Sequence, residues 1–264
     1  MKIYVSCDME GIGGVTLREQ LIRGELLYEE ARRLLTLETN AVTEALLAAG
    51  ATHIVVKDAH GSGFNFIPEL LHPKAEYVMG ATRVENRFPG LDDSFAGALL
   101  IGYHAMGGTA LAVRDHTMTS QGWQSLRLNG RPIGEIGLDA LLIGQRGVPV
   151  LLVSGDDKTC MEAASELPEV AAYATKTALG RHAALLKPPQ RVRSELQEAV
   201  RRAVGNAKSV KPLQLAGPYE LTIRFLHTEQ ADARRYDGTQ AERLDGLTAV
   251  YRADDLTELL SIAF

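Results

Sequence analysis

Short apolar runs that stop abruptly at charged or imidazole side chains constrain this chain more than any other feature. The first run, Ile3-Tyr4-Val5-Ser6-Cys7, leads straight into Asp8-Met9-Glu10-Gly11. A strand that opens at residue 2 and enters a core would ordinarily end in a neutral turn. Here two carboxylates lie at i and i+2, a spacing that points both to one face of an extended chain. Neighbouring carboxylates repel, and burying them is costly unless a positive charge lies between them. A divalent metal is the simplest such charge; a solvated acidic turn is the plainer alternative.

Three further segments end in the same way. Thr52 to Asp58 precedes Ala59-His60-Gly61, Ala98 to Tyr103 precedes His104-Ala105, and Gln124 to Gly134 leads to Glu135. Pro149-Val150-Leu151-Leu152-Val153 is nearly all apolar, the signature of a central parallel strand. Strand and helix patterns alternate over residues 1–157, which predicts an α/β fold with a mostly parallel central sheet flanked by helices. In open sheets of that kind ligand sites lie outside the carboxyl ends of the strands. Asp8, Glu10, His60, His104 and Glu135 are therefore expected to converge. Two imidazoles and three carboxylates suit zinc, manganese or iron. One metal needs about three or four protein ligands, whereas five with a bridging carboxylate fit a metal pair.

Between the strands, Gly24 to Gly50 predicts one long helix, with Leu27, Leu34, Leu35, Val42 and Leu46 at helical spacing. Asn65 to Leu71 reads as a short helix and Tyr77-Val78-Met79 as a short strand. A helix is expected from near Glu135 to Gly144. Ser154-Gly155-Asp156-Asp157 reads as a turn and N-cap for a helix over 157–167. Pro188-Pro189 marks a boundary, dividing a catalytic domain, 1–187, from a smaller β/α region, 188–264. That region is either a second unit or a lobe of the first. It is expected to hold an amphipathic helix over Val192 to Val204, strands over Glu220 to Leu226 and within Ala241 to Tyr251, and a terminal helix from Asp254.

Composition narrows the classes of function. The 264 residues are 45% hydrophobic, enough for one large or two modest domains. A net charge of −5 argues against a bulk electrostatic grip on nucleic acid or an anionic membrane. No run approaches the roughly 18 apolar residues of a membrane-crossing helix. The first residues have a strand pattern rather than a secretory one, so a cytoplasmic protein is expected. Cys7 and Cys160 are too few for a disulfide framework. Both are expected in the core, with the Cys7 thiol made less acidic by Asp8.

Other nucleotide and hydrolase motifs fail on detail. After Gly11 and Gly13, a dinucleotide-binding glycine pattern would need glycine where Thr16 stands, and Asp8 and Glu10 would oppose a pyrophosphate. The Gly-Lys-Ser/Thr phosphate loop is absent, and Gly61-Ser62-Gly63 lacks the spacing of a serine-hydrolase elbow. His53, His72, His182 and His227 have no acidic cluster at matching strand ends and read as structural or surface residues. His116, in Arg114-Asp115-His116-Thr117-Met118, is a candidate acid/base or transition-state donor; the plainer reading is a loop histidine held by Asp115. Asp58 would orient His60 or merely cap a strand end.

The motifs Ser6-Cys7-Asp8-Met9-Glu10-Gly11, Asp58-Ala59-His60, Gly90-Leu91-Asp92-Asp93-Ser94-Phe95, Gly102-Tyr103-His104-Ala105, His116-Thr117-Met118, Gly134-Glu135-Ile136-Gly137-Leu138 and Gly155-Asp156-Asp157 occur in this order. With them the chain resembles the DppA-type D-aminopeptidases, peptidase family M55, over nearly its whole length. The resemblance implies a two-zinc site per chain, other divalent transition metals being alternatives. Asp8 would bridge, Glu10, His60, His104 and Glu135 would complete the site, and His116 would be catalytic as nucleophile, acid/base or oxyanion donor. It implies an α/β fold and a homo-oligomeric ring, a decamer being one form, with active sites facing an inner channel. It also implies metal-dependent hydrolysis of short peptides or amides that begin with a D-amino acid; handedness comes from the resemblance alone. Asp115 departs from the serine often found beside the family's histidine, and is expected to make His116 more basic. The rival readings are a hydrolase of another amide or of a phosphate ester, a non-catalytic metal- or peptide-binding protein, and a structural oligomer with a vestigial site.

Overall fold

Strand β1 (Lys2–Cys7) shows how the chain builds its layers. Alternate side chains of a strand face opposite ways, and here each face meets its own core. Ile3, Val5 and Cys7 join one apolar cluster with helix residues Leu35, Val42, Leu46, Leu196 and Val200. Tyr4 faces a second cluster with Leu138, Leu142, Leu221, Ile223 and Tyr251. Ser6 and then Asp8 continue the Tyr4 side, so the first predicted ligand leaves the strand toward the second core.

The fold is that of a computed structural model, which describes residues 1–264. The chain continues through α1 (Tyr28–Ala48), β2 (His53–Asp58), β3 (Glu76–Val78), β4 (Gly97–Ile101), β5 (Trp123–Leu128), β6 (Arg131–Pro132), α2 (Glu135–Gly144), β7 (Val150–Asp156) and α3 (Asp157–Glu166). It ends with β8 (Ala171–Gly180), β9 (Ala183–Leu186), α4 (Pro189–Gly205), β10 (Tyr219–Phe225), α5 (Thr228–Asp232), β11 (Ala241–Arg243), β12 (Thr248–Ala253) and α6 (Leu256–Ala263). A seven-stranded sheet has the order β3-β2-β1-β4-β7-β8-β9. It is parallel except for β9, which pairs antiparallel with β8. A second sheet, antiparallel throughout, has the order β11-β12-β10-β5-β6. Helices α1 and α4 cover one face of the parallel sheet; α2 and α6 lie in the core shared with the second sheet.

The α/β class with a mostly parallel sheet is therefore observed, with differences of detail. The long helix starts at Tyr28 rather than Gly24; Leu26 before it is 92% exposed and adds nothing to the apolar stripe. The helix expected over 65–71 is a single turn at Pro68–Leu70. The backbone N–H groups of Asn65 and Phe66 donate to the Asp58 carboxylate and that of Ile67 to Thr36 Oγ1, and Pro68 has none to give. Gln124 to Gly134 is not another parallel strand. It forms the β5–β6 hairpin of the second sheet, and Glu135 enters the site as the first residue of helix α2. Strands β8 and β9 carry too weak an apolar pattern to stand out in the sequence.

In the strand order, β1 has β2 on one side and β4 on the other. Successive strands are added in one direction up to β3 and in the other from β4 onward, and at such a reversal of strand order open α/β sheets leave a crevice at their carboxyl edge. The loop after β1 is drawn onto the loop after β4. Asp8 N donates to Ile101 O at 2.8 Å and Gly11 N to Gly102 O at 2.7 Å. Gly11 is required for this contact, because a Cβ there would overlap Tyr103 O.

Candidate metal centre

Three carboxylates and three imidazoles meet at that crevice, delivered by five segments of the chain. Asp8 and Glu10 come from the end of β1 and His60 from the end of β2. His104 comes from the end of β4, His116 from the loop before β5, and Glu135 from the first turn of α2. Asp8, Glu10, His104 and Glu135 are buried. His60 Nδ1 lies 3.1 Å from both Asp8 Oδ1 and Glu10 Oε2. His104 Nε2 lies 3.4 Å from Asp8 Oδ2 and 3.2 Å from Glu135 Oε1.

Backbone carbonyls fix how the rings point. His60 Nε2 donates to Leu21 O at 3.0 Å, His104 Nδ1 to Ala105 O at 3.0 Å, and His116 Nδ1 to Arg114 O at 2.9 Å. Each ring thus commits one nitrogen as a donor to the backbone and turns the other toward the carboxylates. A lone pair facing a carboxylate oxygen at hydrogen-bond distance is repulsive unless a cation or a proton lies between them. The buried His104 Nε2 has no hydrogen-bond partner. Such an orphaned nitrogen amid buried oxygens, together with the mixed N/O donor set, fits a divalent transition metal.

The protonation equilibria carry the same message. On His60, burial disfavours charge, but Glu10 and Asp8 outweigh it and lift the ring well above the ordinary value. On His104, burial is outweighed by Glu135 and Asp8, and the value rises to about 10. Burial also opposes ionisation of Glu10 and Glu135, yet the facing imidazoles hold both below the carboxylate range. Asp8 is raised, first by burial and then by Glu10. Without a cation the cluster gathers protons; a metal ion would take their place.

His116 lies slightly farther out. Its Nε2 is 4.0 Å from Glu10 Oε1 and 3.8 Å from Glu135 Oε1, and its ring stacks on His104 at 3.9 Å between centroids. Burial, then the neighbouring His104, lower its pKa. The expectation that Asp115 would make His116 more basic does not hold. The Asp115 carboxylate turns to Arg181 and accepts from Gly108 N at 2.8 Å. Asp58 likewise acts on the backbone rather than on a ring. It accepts from His60 N at 3.3 Å and from Asn65, fixing the loop that carries His60. Cys7 is fully buried with its thiol pushed up, first by burial; Cys160 on α3 is only partly buried, short of the core position expected.

Several supporting residues escape a reading of motifs. Asp139 lies four residues after Glu135 on an otherwise apolar helix; it pairs with Arg87 and accepts from Tyr103 Oη at 2.7 Å. Arg87 Nη2 also reaches Glu135 Oε2 at 3.3 Å, while Met118 N donates to Glu135 Oε1 at 2.6 Å. This acid in the middle of α2, among apolar residues, was a visible signal. Lys176, in the middle of β8, gave none. Its buried Nζ donates to Glu10 O at 2.6 Å, to Ile12 O at 2.9 Å and to Val15 O, so that one ammonium holds the loop carrying Glu10. Asp156 caps α3 through Thr159 N and accepts from Val113 N at 2.8 Å, steadying the segment that leads to His116.

The profile of peptidase family M55, described as D-aminopeptidase, matches residues 1–263. The chain belongs to the M55 family of D-aminopeptidases. A curated member, the D-aminopeptidase of Bacillus subtilis (strain 168), is 36% identical over 260 residues, covering 98% of this chain and 93% of the relative. A solved structure described as the Zn-dependent D-aminopeptidase DppA from Bacillus subtilis, a self-compartmentalizing protease, superposes with a TM-score of 0.94 at 34% identity. It covers all of this chain and 95% of that one.

Proposed function

We propose that this M55 family member is a metal-dependent aminopeptidase that hydrolyses short peptides or amides with an N-terminal D-amino acid. The observation that carries the reading is the convergence of two imidazole nitrogens on three buried carboxylates at the strand-order reversal. Asp8, as a bridge, with Glu10, His60, His104 and Glu135 would hold a zinc pair, or another divalent transition metal. Such a pair supplies Lewis-acid polarisation of the scissile carbonyl and activation of water.

The chain's own residues would do the rest. His116 presents an unprotonated Nε2 to the cleft, with Nδ1 tied to Arg114 O. In this role it accepts the proton of the attacking water and returns it to the leaving amine. Its lowered pKa keeps that nitrogen free near neutral pH. Arg87 and Met118 N orient Glu135 from behind, as Lys176 orients Glu10. The D-preference is carried over from the family.

We also assign a homo-oligomer, with a decameric ring as its form. Leu179, Leu185 and Leu186, on β8 and the edge strand β9, are exposed in the single chain and would favour burial in an assembly. No helix is long and apolar enough to cross a membrane, and two free cysteines are compatible with the reducing cytoplasm we assign.

The test is hydrolysis of paired D- and L-alanine amides and dipeptides by zinc-loaded protein, with a chelator control and a metal assay. Cleavage of the D-series alone, lost on chelation, at about two metals per chain, is expected. Bound metal without cleavage of either series would remove the peptidase reading and turn attention to phosphate esters.

A further inference from the structure

The cleft in front of the metal ligands is small, about 290 Å³, against the roughly 300–1,000 Å³ usual for small-molecule sites. Its charged lining is divided by sign. Asp8, Glu10 and Glu135 supply its only carboxylates; Arg18 and Arg114 supply its cations. Arg18 is exposed. Arg114 is 8% exposed, and its buried Nε has no hydrogen-bond partner. No side-chain hydrogen bond or ion pair restrains this guanidinium. The adjacent acid, Asp115, is already engaged by Arg181 and Gly108 N. A nearly buried, unpaired guanidinium is costly to maintain unless a ligand completes it.

The backbone holds Arg114 where it is. The residue is left-handed (φ 53°), Arg114 N donates to Arg181 O at 3.1 Å, and Arg114 O receives the His116 Nδ1 proton. One residue thus orients the His116 ring with its carbonyl and faces the cleft with its side chain.

We propose that Arg114, assisted by Arg18, forms a carboxylate-binding subsite that pairs with the C-terminal carboxylate of a very short peptide, a dipeptide above all. The inference rests on the aminopeptidase reading and extends it to substrate length. Arg114 lines the same cleft as Asp8, Glu10, His60 and Glu135, and a dipeptide carries its terminal carboxylate only one residue beyond the scissile amide. A planar guanidinium matches a carboxylate bidentately, and the pair is strengthened by exclusion of water.

The test compares D-alanyl-D-alanine with its C-terminal amide, which differ only in the terminal charge. A third substrate, D-alanyl-D-glutamic acid α-amide, carries its carboxylate on the side chain instead. The zinc-loaded wild type should favour the free dipeptide. Arg114→Gln should lower the dipeptide-to-amide ratio of kcat/KM by about 10²-fold, mainly through KM, and Arg114→Lys should restore part of it. Disturbance of His116 through the loop would depress all substrates alike and leave the ratio unmoved. An unmoved ratio, whatever the fall in absolute rates, overturns the proposal; a fall confined to the side-chain acid overturns the terminal assignment. Calorimetric binding of reduced-amide dipeptide analogues ending in carboxylate or carboxamide gives the same comparison without turnover. If the wild type cleaves no peptide, the aminopeptidase reading fails, and an Arg114-dependent preference for the carboxylate analogue still decides the subsite.

Discussion

At the scale of single residues, the site is governed by which nitrogen of each histidine carries the proton. Backbone carbonyls decide this for His60, His104 and His116 alike. Because Glu10, Asp8 and Glu135 raise His60 and His104 in the metal-free protein, metal uptake near neutral pH should expel protons. Titration calorimetry in buffers of different ionisation enthalpy should show that release, with affinity weakening as pH falls; a buffer-independent heat would contradict it. His116 behaves oppositely. Its pKa lies below the ordinary imidazole value of about 6.5, so the neutral ring prevails at neutral pH and the charged ring only in more acidic solution. The pH profile of kcat/KM should therefore rise through a midpoint under about 6.5. His116→Ala should cost about 10²–10⁴-fold in turnover while leaving metal content and the unfolding midpoint near wild type. Full activity in that variant would remove His116 from the chemistry.

At the scale of elements, the site depends on loops held from outside. The turn after β1 gives up its carbonyls to β8: Lys176 Nζ takes those of Glu10, Ile12 and Val15, and Thr175 Oγ1 takes that of Gly11 at 2.6 Å. Burial lowers the Lys176 ammonium to about 8, opposed by Asp156 and Glu38. Replacing it with methionine would leave Glu10 O and Val15 O without donors, while Ile12 O keeps Val15 N, a loss of at least ~2 kcal/mol. Lys176→Met should lower the urea midpoint accordingly and weaken metal binding about 10- to 100-fold by loosening Glu10. An unchanged midpoint and metal affinity would show that the clamp is dispensable.

At the scale of the whole molecule, the chain passes the Pro188-Pro189 step and then returns to both layers already begun. Helix α4 packs Leu196, Val200 and Val204 into the core against α1, and β10 pairs with β5 from the earlier part of the chain. We infer that residues 188–264 are a lobe of the same domain rather than a separate one. A chain ending at Lys187 would lose the burial supplied by those three residues and by Leu221, Ile223 and Phe225. At about 1.5–3 kcal/mol each, these contacts rival the ~5–15 kcal/mol that holds a typical domain folded. The shortened chain should therefore show no cooperative thermal transition. If it melts cooperatively and binds metal, the two regions are independent.

The sequence by itself carried the α/β class, most of the strands, and a set of site candidates, and the reason is local. An apolar run followed at once by Asp, Glu or His states both that a buried strand exists and that its end is polar. Asp8, Glu10, His60 and His104 were legible on that ground, and the ordered motifs pointed to the family. Glu135 was legible as a candidate but not in its setting, because a hairpin and a parallel strand look alike over so few residues. Tertiary structure alone decided what no sequence neighbour encodes. It turned Asp115 away from His116 and toward Arg181, brought Lys176 under a loop more than 160 positions earlier, and left Arg114 in the cleft without a partner. Each of these outcomes depends on which distant groups claim a donor or acceptor first, and chain folding settles that competition.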